Sequence, residues 1–324
     1  MNFQKERERI NSTAILLDIE KVRADVHQIL EKGHPGGLST GWAVMDNYFK
    51  FAPVGQLNLV TGTPGAGKSE WLDSLALNMA VLHKWRIFVY SPENYPASYH
   101  LQKLAEKLIG KPFFGHDYGV DSMSKDELDK ALDFLRGHFT FTDCHVNNAT
   151  VDQILNSIFD ECLEKEVQMA VIDPWNKLES QKPAGMSNTD YIGKALTRIQ
   201  MFSRQRGISF WIVAHPSKPM RLKDASIASV TLYDVSDSAN WFNMIDNGFI
   251  LSRNWEDKVG YNYKSTLKIA KIKDRRYGRC KELDFQFYPA TGRFEALAPK
   301  DRSDTEHAVR RWNQVDGSRT PGGE

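Results

Sequence analysis

The sequence has little cysteine and no long hydrophobic run, and both absences narrow the class of protein. Three cysteines among 324 residues, Cys144, Cys162 and Cys280, are too few and too scattered for a disulfide framework or a zinc knuckle. No apolar stretch approaches the roughly 20 residues that span a bilayer. The polar start, residues 1–9, is not a secretory signal. We therefore predict a cytosolic or comparable reducing compartment and no membrane partner.

An excess of charge of either sign is also missing. Lys and Arg total 42 against 41 for Asp and Glu, so the net charge is +1. An anionic polymer would therefore have to be held by a local basic segment. The hydrophobic content of 41% suffices for a sizeable core. The length fits one large domain with extensions or two small domains.

One motif constrains function more tightly than any other. It is a complete phosphate-binding loop of eight residues: Gly62, Thr63, Pro64, Gly65, Ala66, Gly67, Lys68 and Ser69. A β-rich run precedes it and a helical run follows, which argues against a chance glycine loop. Backbone N–H groups of such a loop face phosphate oxygens. Lys68 is expected to reach the β- and γ-phosphates, and the Ser69 hydroxyl to bind Mg²⁺. The motif predicts ATP and Mg²⁺ as ligands.

Short apolar runs alternate with amphipathic helical runs from residue 56 onward. Strands are predicted at 57–61, 87–90, 139–142, 169–173, 209–214 and 248–252. Helices are predicted at 70–82, 97–109, 125–136, 151–165 and 188–206. This pattern predicts an α/β fold with a mainly parallel sheet covered on both faces. Two further runs, 265–272 and 282–288, are expected to add antiparallel strands at one edge.

We divide the chain into an N-terminal arm (1–35), an ATPase domain (36–298) and a polar, disordered tail (299–324). In the arm, apolar residues recur at spacings of three and four: Ile15, Ile19, Val22, Val26 and Ile29. This stripe indicates an amphipathic helix. The helix could cover its own core or dock onto a neighbouring subunit.

Three polar residues follow predicted strands. Asp173 ends an apolar strand and would bind Mg²⁺ at the sheet edge, although such an Asp could also cap the next structure. Since Pro174 follows it, a hydrolase needs its base elsewhere, and Glu93 is the candidate. His215 could contact the γ-phosphate and report its loss. The alternatives for Glu93 and His215 are a solvated glutamate and a structural histidine.

Two segments are rich in positive charge. The long loop 216–236 carries Lys218, Arg221 and Lys223, which suit contacts with a nucleic-acid backbone, although a merely solvated loop is the alternative. Residues 268–281 carry seven Lys or Arg against one Asp. That segment is either a nucleic-acid patch or a cationic finger inserted into a neighbouring subunit's triphosphate site.

In order and spacing, these motifs resemble the RecA-like motor domain of hexameric replicative helicases of the DnaB/Twinkle group, which includes phage primase–helicases. The resemblance covers about residues 36–297. It is carried by residues 37–42, 62–69, 91–93, 171–173, 213–215, 237–240, 246–247 and 273–275. It implies a RecA-like P-loop NTPase core with antiparallel edge strands, and an arm that packs as a linker helix on the next protomer.

The resemblance also implies roles for particular residues. Lys273 and Arg275 are assigned to the neighbour's γ-phosphate, although Arg276 leaves that register open by one position. Arg253 and Phe287 are placed beside the nucleobase. The implied activity is an ATP-driven DNA helicase that moves 5′→3′ on single-stranded DNA as a homo-oligomeric ring, expected to be a hexamer. Its compartment would be a cytoplasm, including that of a phage-infected host, or an organelle matrix.

Related proteins usually carry a primase or primase-like domain, for which the residues before the core leave no room. We therefore expect a separate primase, polymerase or loader. Two other functions stay open. A recombination or repair ATPase would form filaments on DNA without processive unwinding. A regulatory or defence ATPase would use the same core for assembly and hydrolyse little.

Overall fold

The computed structural model describes residues 18–143, 149–217, 229–235, 240–253 and 263–297. The chain divides into two units, Met1–Gly36 and Gly37–Glu324. In the first, helix α1 (Ile19–Lys32) begins after Asp18, whose side chain accepts the N–H of Glu20, and ends at Gly33 with φ of +79°. The three-part division at residues 35 and 298 stays a prediction, because the tail and Ile15 lie outside the described residues.

The second unit alternates helices and strands. Its helices are α2 (Ala43–Asp46), α3 (Lys68–His83), α4 (Ala97–Ile109), α5 (Lys125–His138), α6 (Val151–Glu164), α7 (Asn188–Arg206) and α8 (Asn240–Met244). Its strands are β1 (Leu57–Gly62), β2 (Ile87–Tyr90), β3 (Phe139–Phe141), β4 (Met169–Ile172), β5 (Ser209–Val213), β6 (Asn247–Arg253), β7 (Lys264–Ile272), β8 (Lys281–Tyr288) and β9 (Arg293–Ala296). No helix in the described ranges is long and apolar enough to cross a membrane.

All nine described strands form one sheet in the order β3-β2-β4-β5-β1-β6-β7-β8-β9. The first six in this order are parallel, and the last three are antiparallel to their neighbours. The predicted α/β fold, with a mainly parallel sheet and antiparallel edge strands, is therefore confirmed. Sequence analysis missed β9, because four residues directly after a turn are too short to show an alternating pattern.

Local sequence explains where several helices begin. Ser124 and Glu127 form a reciprocal capping box at the start of α5, and Thr150 and Gln153 form another at α6. Each pair satisfies two backbone N–H groups that a helix leaves without partners in its first turn. In contrast, the residue that precedes α3 is Gly67, which offers no side-chain cap. Its first N–H groups are therefore left for another partner.

Helices cover both faces of the sheet. One face packs against α2, α3, α4 and α5, and the other against α6, α7 and α8. Under α3, the buried indole of Trp71 stacks at 5.8 Å on Trp42 and lies 6.1 Å from Trp211. The Trp42 indole donates to the Phe294 carbonyl at 2.9 Å. This aromatic packing fixes α3, and with it the preceding loop, against the sheet.

Candidate nucleotide-binding site

The glycine loop lies between the end of β1 and the start of α3, as the sequence predicts. Gly62 has a φ of +143°, and a Cβ there would lie 1.8 Å from the Leu251 carbonyl oxygen. Gly67 has a φ of +88°, which disfavours any other residue. The loop therefore needs glycine to pass β6 and to turn into α3. Its backbone leads directly to the uncapped N-terminus of a 16-residue helix, a geometry that suits an anion.

Lys68 is held inside this loop. Its Nζ donates to the carbonyl oxygens of Gly62 at 3.2 Å and Thr63 at 3.1 Å, and the residue is only 6% exposed. Burial lowers the pKa of the Lys68 ammonium, and the carboxylates of Asp173 and Glu93 partly oppose that shift. The Thr63 hydroxyl is buried and has no hydrogen-bond partner among the described residues. A polyphosphate would supply acceptors for both groups.

Asp173 directly follows β4 and is almost completely buried. Burial raises the pKa of its carboxyl group to about 6, while a hydrogen bond from the Ser69 hydroxyl acts in the opposite direction. A cation beside this carboxylate would favour its charged form. One carboxylate and one hydroxyl suit Mg²⁺, which is typically bound by few protein ligands together with substrate phosphates. Ser69 and Asp173 therefore fit the predicted magnesium role.

Glu93 and His215 follow β2 and β5, the two strands that flank β4 in the sheet. Because neighbouring parallel strands end at the same edge, these residues lie with Asp173 beside the glycine loop. Glu93 is half-exposed, and its carboxylate lies 3.8 Å from the Lys177 ammonium. Burial, aided by the charge of Lys68, lowers the pKa of His215. The structure thus brings together the predicted base, magnesium ligand and sensor, and their roles stay predictions.

A partly buried ion cluster beside this site was not foreseen from the sequence. Glu70, in the first turn of α3, pairs with Lys107 through one carboxylate oxygen and with Lys103 at 3.0 Å through the other. Lys107 is 1% exposed and also donates to the Gly292 carbonyl at 2.7 Å. Two lysines four residues apart lie next to each other on one face of a helix, so they can share one partner. Only the fold identifies that partner as Glu70.

Aromatic residues lie beyond the loop, where a nucleobase was predicted. The Arg253 guanidinium lies over the Tyr263 ring at 5.2 Å, and that ring is 6.2 Å from Phe287. Phe287 in turn packs at 5.1 Å against Phe294, whose ring would meet a Cβ placed on Gly67. Arg253 and Phe287 are thus linked through Tyr263, a residue that sequence analysis did not select.

The predicted finger residues lie at the edge of the sheet where the parallel strands begin. This edge is opposite the one at which those strands end beside the glycine loop. Lys273 follows the end of β7, whose Ile272 pairs with Asn247 at the start of β6. The length of β1, roughly 20 Å at about 3.3 Å per residue, separates this edge from the glycine loop. The Lys273 ammonium contacts the buried carboxylate of Asp246 at 3.0 Å.

The two arginines that follow Lys273 differ in their surroundings. Arg276 is bound to Asp274 through Nε at 2.9 Å and Nη2 at 2.5 Å. Arg275 is exposed and makes no hydrogen bond or ion pair with any residue that the structure describes. Of the two arginines, Arg275 is therefore the one whose guanidinium has no partner among the described residues.

The predicted DNA-contacting residues Lys218, Arg221 and Lys223 lie outside the described residues. The base of their loop is described. Ser217 donates through its N–H and its hydroxyl to the Asp234 carbonyl, each at 2.7 Å, and Pro216 forms a bridge with Val235. The loop that begins after His215 is therefore closed at its base.

Comparison with known proteins agrees with this geometry. The sequence is 34% identical over 265 residues to the Twinkle homolog protein, chloroplastic/mitochondrial, of Arabidopsis thaliana. That match covers 81% of this chain and 37% of the relative, so the chain spans little more than a third of the relative's length. No family model matches the sequence.

Two solved structures share the fold. The first, described as an ATPase domain, superposes with a TM-score of 0.72 at 18% identity, over 88% of this chain and all of that domain. The second, a DnaB-like replicative helicase described with its interactions with primase, superposes with a TM-score of 0.69 at 17% identity, over 90% of this chain and 70% of that one. The shared sequence and the shared fold identify this chain as a RecA-like motor domain of the DnaB/Twinkle type.

Proposed function

We propose that the protein is an ATP-hydrolysing DNA helicase whose catalytic parts come from two copies of the chain. It would work as a ring-shaped homo-oligomer, expected to be a hexamer, with single-stranded DNA in its channel and movement in the 5′→3′ direction. The Twinkle homolog and the fold neighbour named as a DnaB-like replicative helicase support a replicative-type helicase, and the neighbour named as an ATPase domain supports hydrolysis. Ring assembly, polarity and ATP dependence are part of the proposal.

The observation that carries the proposal is the separation of the two groups of residues. Lys68, Asp173 and Glu93 gather beside the glycine loop, whereas Arg275 lies at the opposite edge, roughly 20 Å away along β1. A guanidinium at that edge cannot reach the phosphate site of its own chain. It can reach a triphosphate only in a second copy, which supports a nucleotide site between subunits.

Within one site, the residues would divide the work as follows. Lys68 and the N–H groups of α3 would hold the phosphates, while Ser69 and Asp173 would hold Mg²⁺, which when bound neutralises phosphate charge. Glu93 would accept a proton from the attacking water. Arg253, Tyr263 and Phe287 would contact the nucleobase. Lys273 and Arg275 of the next copy would offset charge on the γ-phosphate.

Coupling to DNA would run through His215. It directly precedes the segment that carries Lys218, Arg221 and Lys223, so a change at the γ-phosphate would be passed to the connection that holds these three cations. Phosphate contacts of this kind depend on salt concentration. A separate primase, polymerase or loader is the expected protein partner. The relative named as chloroplastic/mitochondrial supports an organelle matrix as the compartment, with a cytoplasm as the alternative.

The direct test removes the phosphate-binding ammonium. Lys68→Ala should lower ATP hydrolysis by at least about 10²–10³-fold and abolish unwinding of forked DNA, since a preorganised charge at the transferring phosphoryl group is lost. Lys125→Ala, at the exposed start of α5, serves as the control and should keep both activities. A Lys68→Ala protein that unwinds at the normal rate would refute the proposal.

Electron microscopy with ATP and single-stranded DNA would distinguish the closed rings of a helicase from the open filaments of a recombination ATPase.

A further inference from the structure

A lysine outside the glycine loop joins two segments of the nucleotide site. Lys103 lies on α4, and its Nζ is 3.0 Å from Glu70 Oε1 and 3.3 Å from Asn94 Oδ1. Glu70 directly follows Ser69 in α3, and Asn94 directly follows Glu93. One ammonium therefore connects the helix that would bind phosphate with the turn that would activate water.

The turn that carries Glu93 is fixed mainly through Asn94. The Asn94 side chain donates to the Ser91 hydroxyl at 2.9 Å, and its backbone N–H donates to the Ser91 carbonyl at 3.2 Å. Glu93 itself is half-exposed, and its ion pair with Lys177 is long at 3.8 Å. The position of the Glu93 carboxylate therefore depends on how firmly Asn94 is held.

The other end of the connection does not depend on Lys103. Glu70 is also paired with the buried ammonium of Lys107, which is anchored in turn by the Gly292 carbonyl. Lys103 is 44% exposed at its side chain, so its removal would leave α3 and its ion cluster in place. A substitution of Lys103 should thus act on the Glu93 turn without unfolding the site.

We propose that Lys103 is a positioning residue for ATP hydrolysis, which holds the Ser91–Asn94 turn, and so the Glu93 carboxylate, at a fixed distance from the phosphate-binding helix. The proposal rests on the proposed function, in which Glu93 activates water. Lys103 does not touch the nucleotide in this account. It acts through Glu70 on one side and Asn94 on the other.

The test measures steady-state ATP hydrolysis of the full chain with single-stranded DNA. Lys103→Met should lower kcat by about tenfold or more, because an ångström of misplacement of a reacting group costs up to about 10²-fold. The KM for ATP should change by less than about twofold, since the phosphate contacts are kept. Lys103→Arg should recover most of the rate, because a guanidinium can bridge the same two oxygens.

Lys111→Met is a matched control. Its ammonium also pairs with a glutamate, Glu127, at 2.6 Å, and its side chain is 41% exposed, but no contact among the described residues links this pair to Glu70 or to the Glu93 turn. It should keep the full kcat. An unchanged kcat in Lys103→Met would overturn the proposal, and so would an equal loss in Lys111→Met. A loss that follows a matching fall in the melting temperature would assign Lys103 a structural role instead.

A double substitution separates this inference from the proposed function. Asn94→Ala should lower kcat as Lys103→Met does, and the double variant should lose no more than the more impaired single variant, because both changes break one connection. Additive losses would contradict the shared route. A Glu93→Gln protein with full hydrolysis would refute the water-activating role itself, whatever the Lys103 variants do.

Discussion

Each edge of the parallel part of the sheet holds a carboxylate that is at least partly buried and has two cationic partners. At the nucleotide edge, Glu70 binds Lys103 and Lys107, both from α4. At the opposite edge, Asp246 binds Lys273 at 3.0 Å and Arg204 at 3.4 Å, and it also accepts the backbone N–H of Leu57 at 3.0 Å. The two clusters look alike in composition but differ in what surrounds them.

The difference lies in burial of the cations. Lys107 is 1% exposed at its side chain and Lys103 is 44% exposed, whereas Lys273 and Arg204 are 56% and 52% exposed. The first cluster therefore has one internal cation, and it joins α3, α4 and the turn before β9. The second is half open, and its Lys273 lies two residues before Arg275, whose guanidinium has no partner among the described residues. This contrast fits the proposal that one edge holds the nucleotide and the other faces a neighbouring copy.

The strongest test of this contrast mixes subunits. Arg275→Ala should lower hydrolysis by about 10³–10⁵-fold, the range for an arginine supplied in trans. Glu93→Gln should also be inactive, yet mixed assemblies of the two variants should regain hydrolysis at interfaces that pair an intact Glu93 with an intact Arg275. ATP hydrolysis is measured across mixing ratios.

Arg276→Ala provides the internal control for that experiment. Its guanidinium is already bound to Asp274, so its loss should matter far less than that of Arg275. A total absence of rescue in confirmed mixed assemblies would contradict a shared site. A larger loss of hydrolysis in Arg276→Ala than in Arg275→Ala would assign the role of the finger to Arg276 instead.

A second prediction concerns the stability of the nucleotide edge at low pH. Burial alone would raise the pKa of Glu70, but Lys107 and Lys103 hold it at about 2, below the usual value of 4.5. Because the folded-state pKa is depressed, the stabilisation is complete above pH 4.5 and is lost as pH falls towards 2. The difference corresponds to about 3 kcal/mol at about 1.36 kcal/mol per pKa unit.

Urea unfolding at several pH values measures this effect. The free energy of unfolding of the natural chain should fall by about 3 kcal/mol more than that of Glu70→Gln between about pH 5 and about pH 2. Glu282→Gln is the control, since its pair with Lys268 is exposed and contributes little. Parallel pH curves for the natural chain and Glu70→Gln would show that the cluster adds no stability.

The smallest expected effect lies at the opposite edge. Asp246→Ala leaves the buried N–H of Leu57 without its acceptor, which should lower the free energy of unfolding by about 1–3 kcal/mol. Asp246→Asn keeps an acceptor oxygen and should lose less. Glu282→Ala, which removes an exposed ion pair, should change stability by less than about 0.5 kcal/mol. Thermal unfolding measures these changes. Equal losses of unfolding free energy in all three variants would show that the buried Asp246 carboxylate adds no more stability than an exposed ion pair.

Much of this architecture was predictable from the sequence, for identifiable reasons. Strand Ile87–Tyr90 and helix Asn188–Arg206 were predicted with the bounds that the structure shows, because a short apolar run and a long amphipathic repeat are strong local signals. Strand β9 was missed. So were Tyr263 and Lys103, whose partners lie on other elements of the fold and leave no periodic pattern in the sequence.

The sequence by itself determined the glycine loop and the α/β order, because glycine spacing and hydrophobic periodicity are properties of neighbouring residues. The tertiary structure decided which charges meet. Strand order placed Glu93, Asp173 and His215 at one edge, and the antiparallel return of β7 placed Arg275 at the other. Lys103 was paired with Glu70 and Asn94 in the same way. Long-range packing determines such contacts, since electrostatic partners are chosen by distance in space and not by distance along the chain.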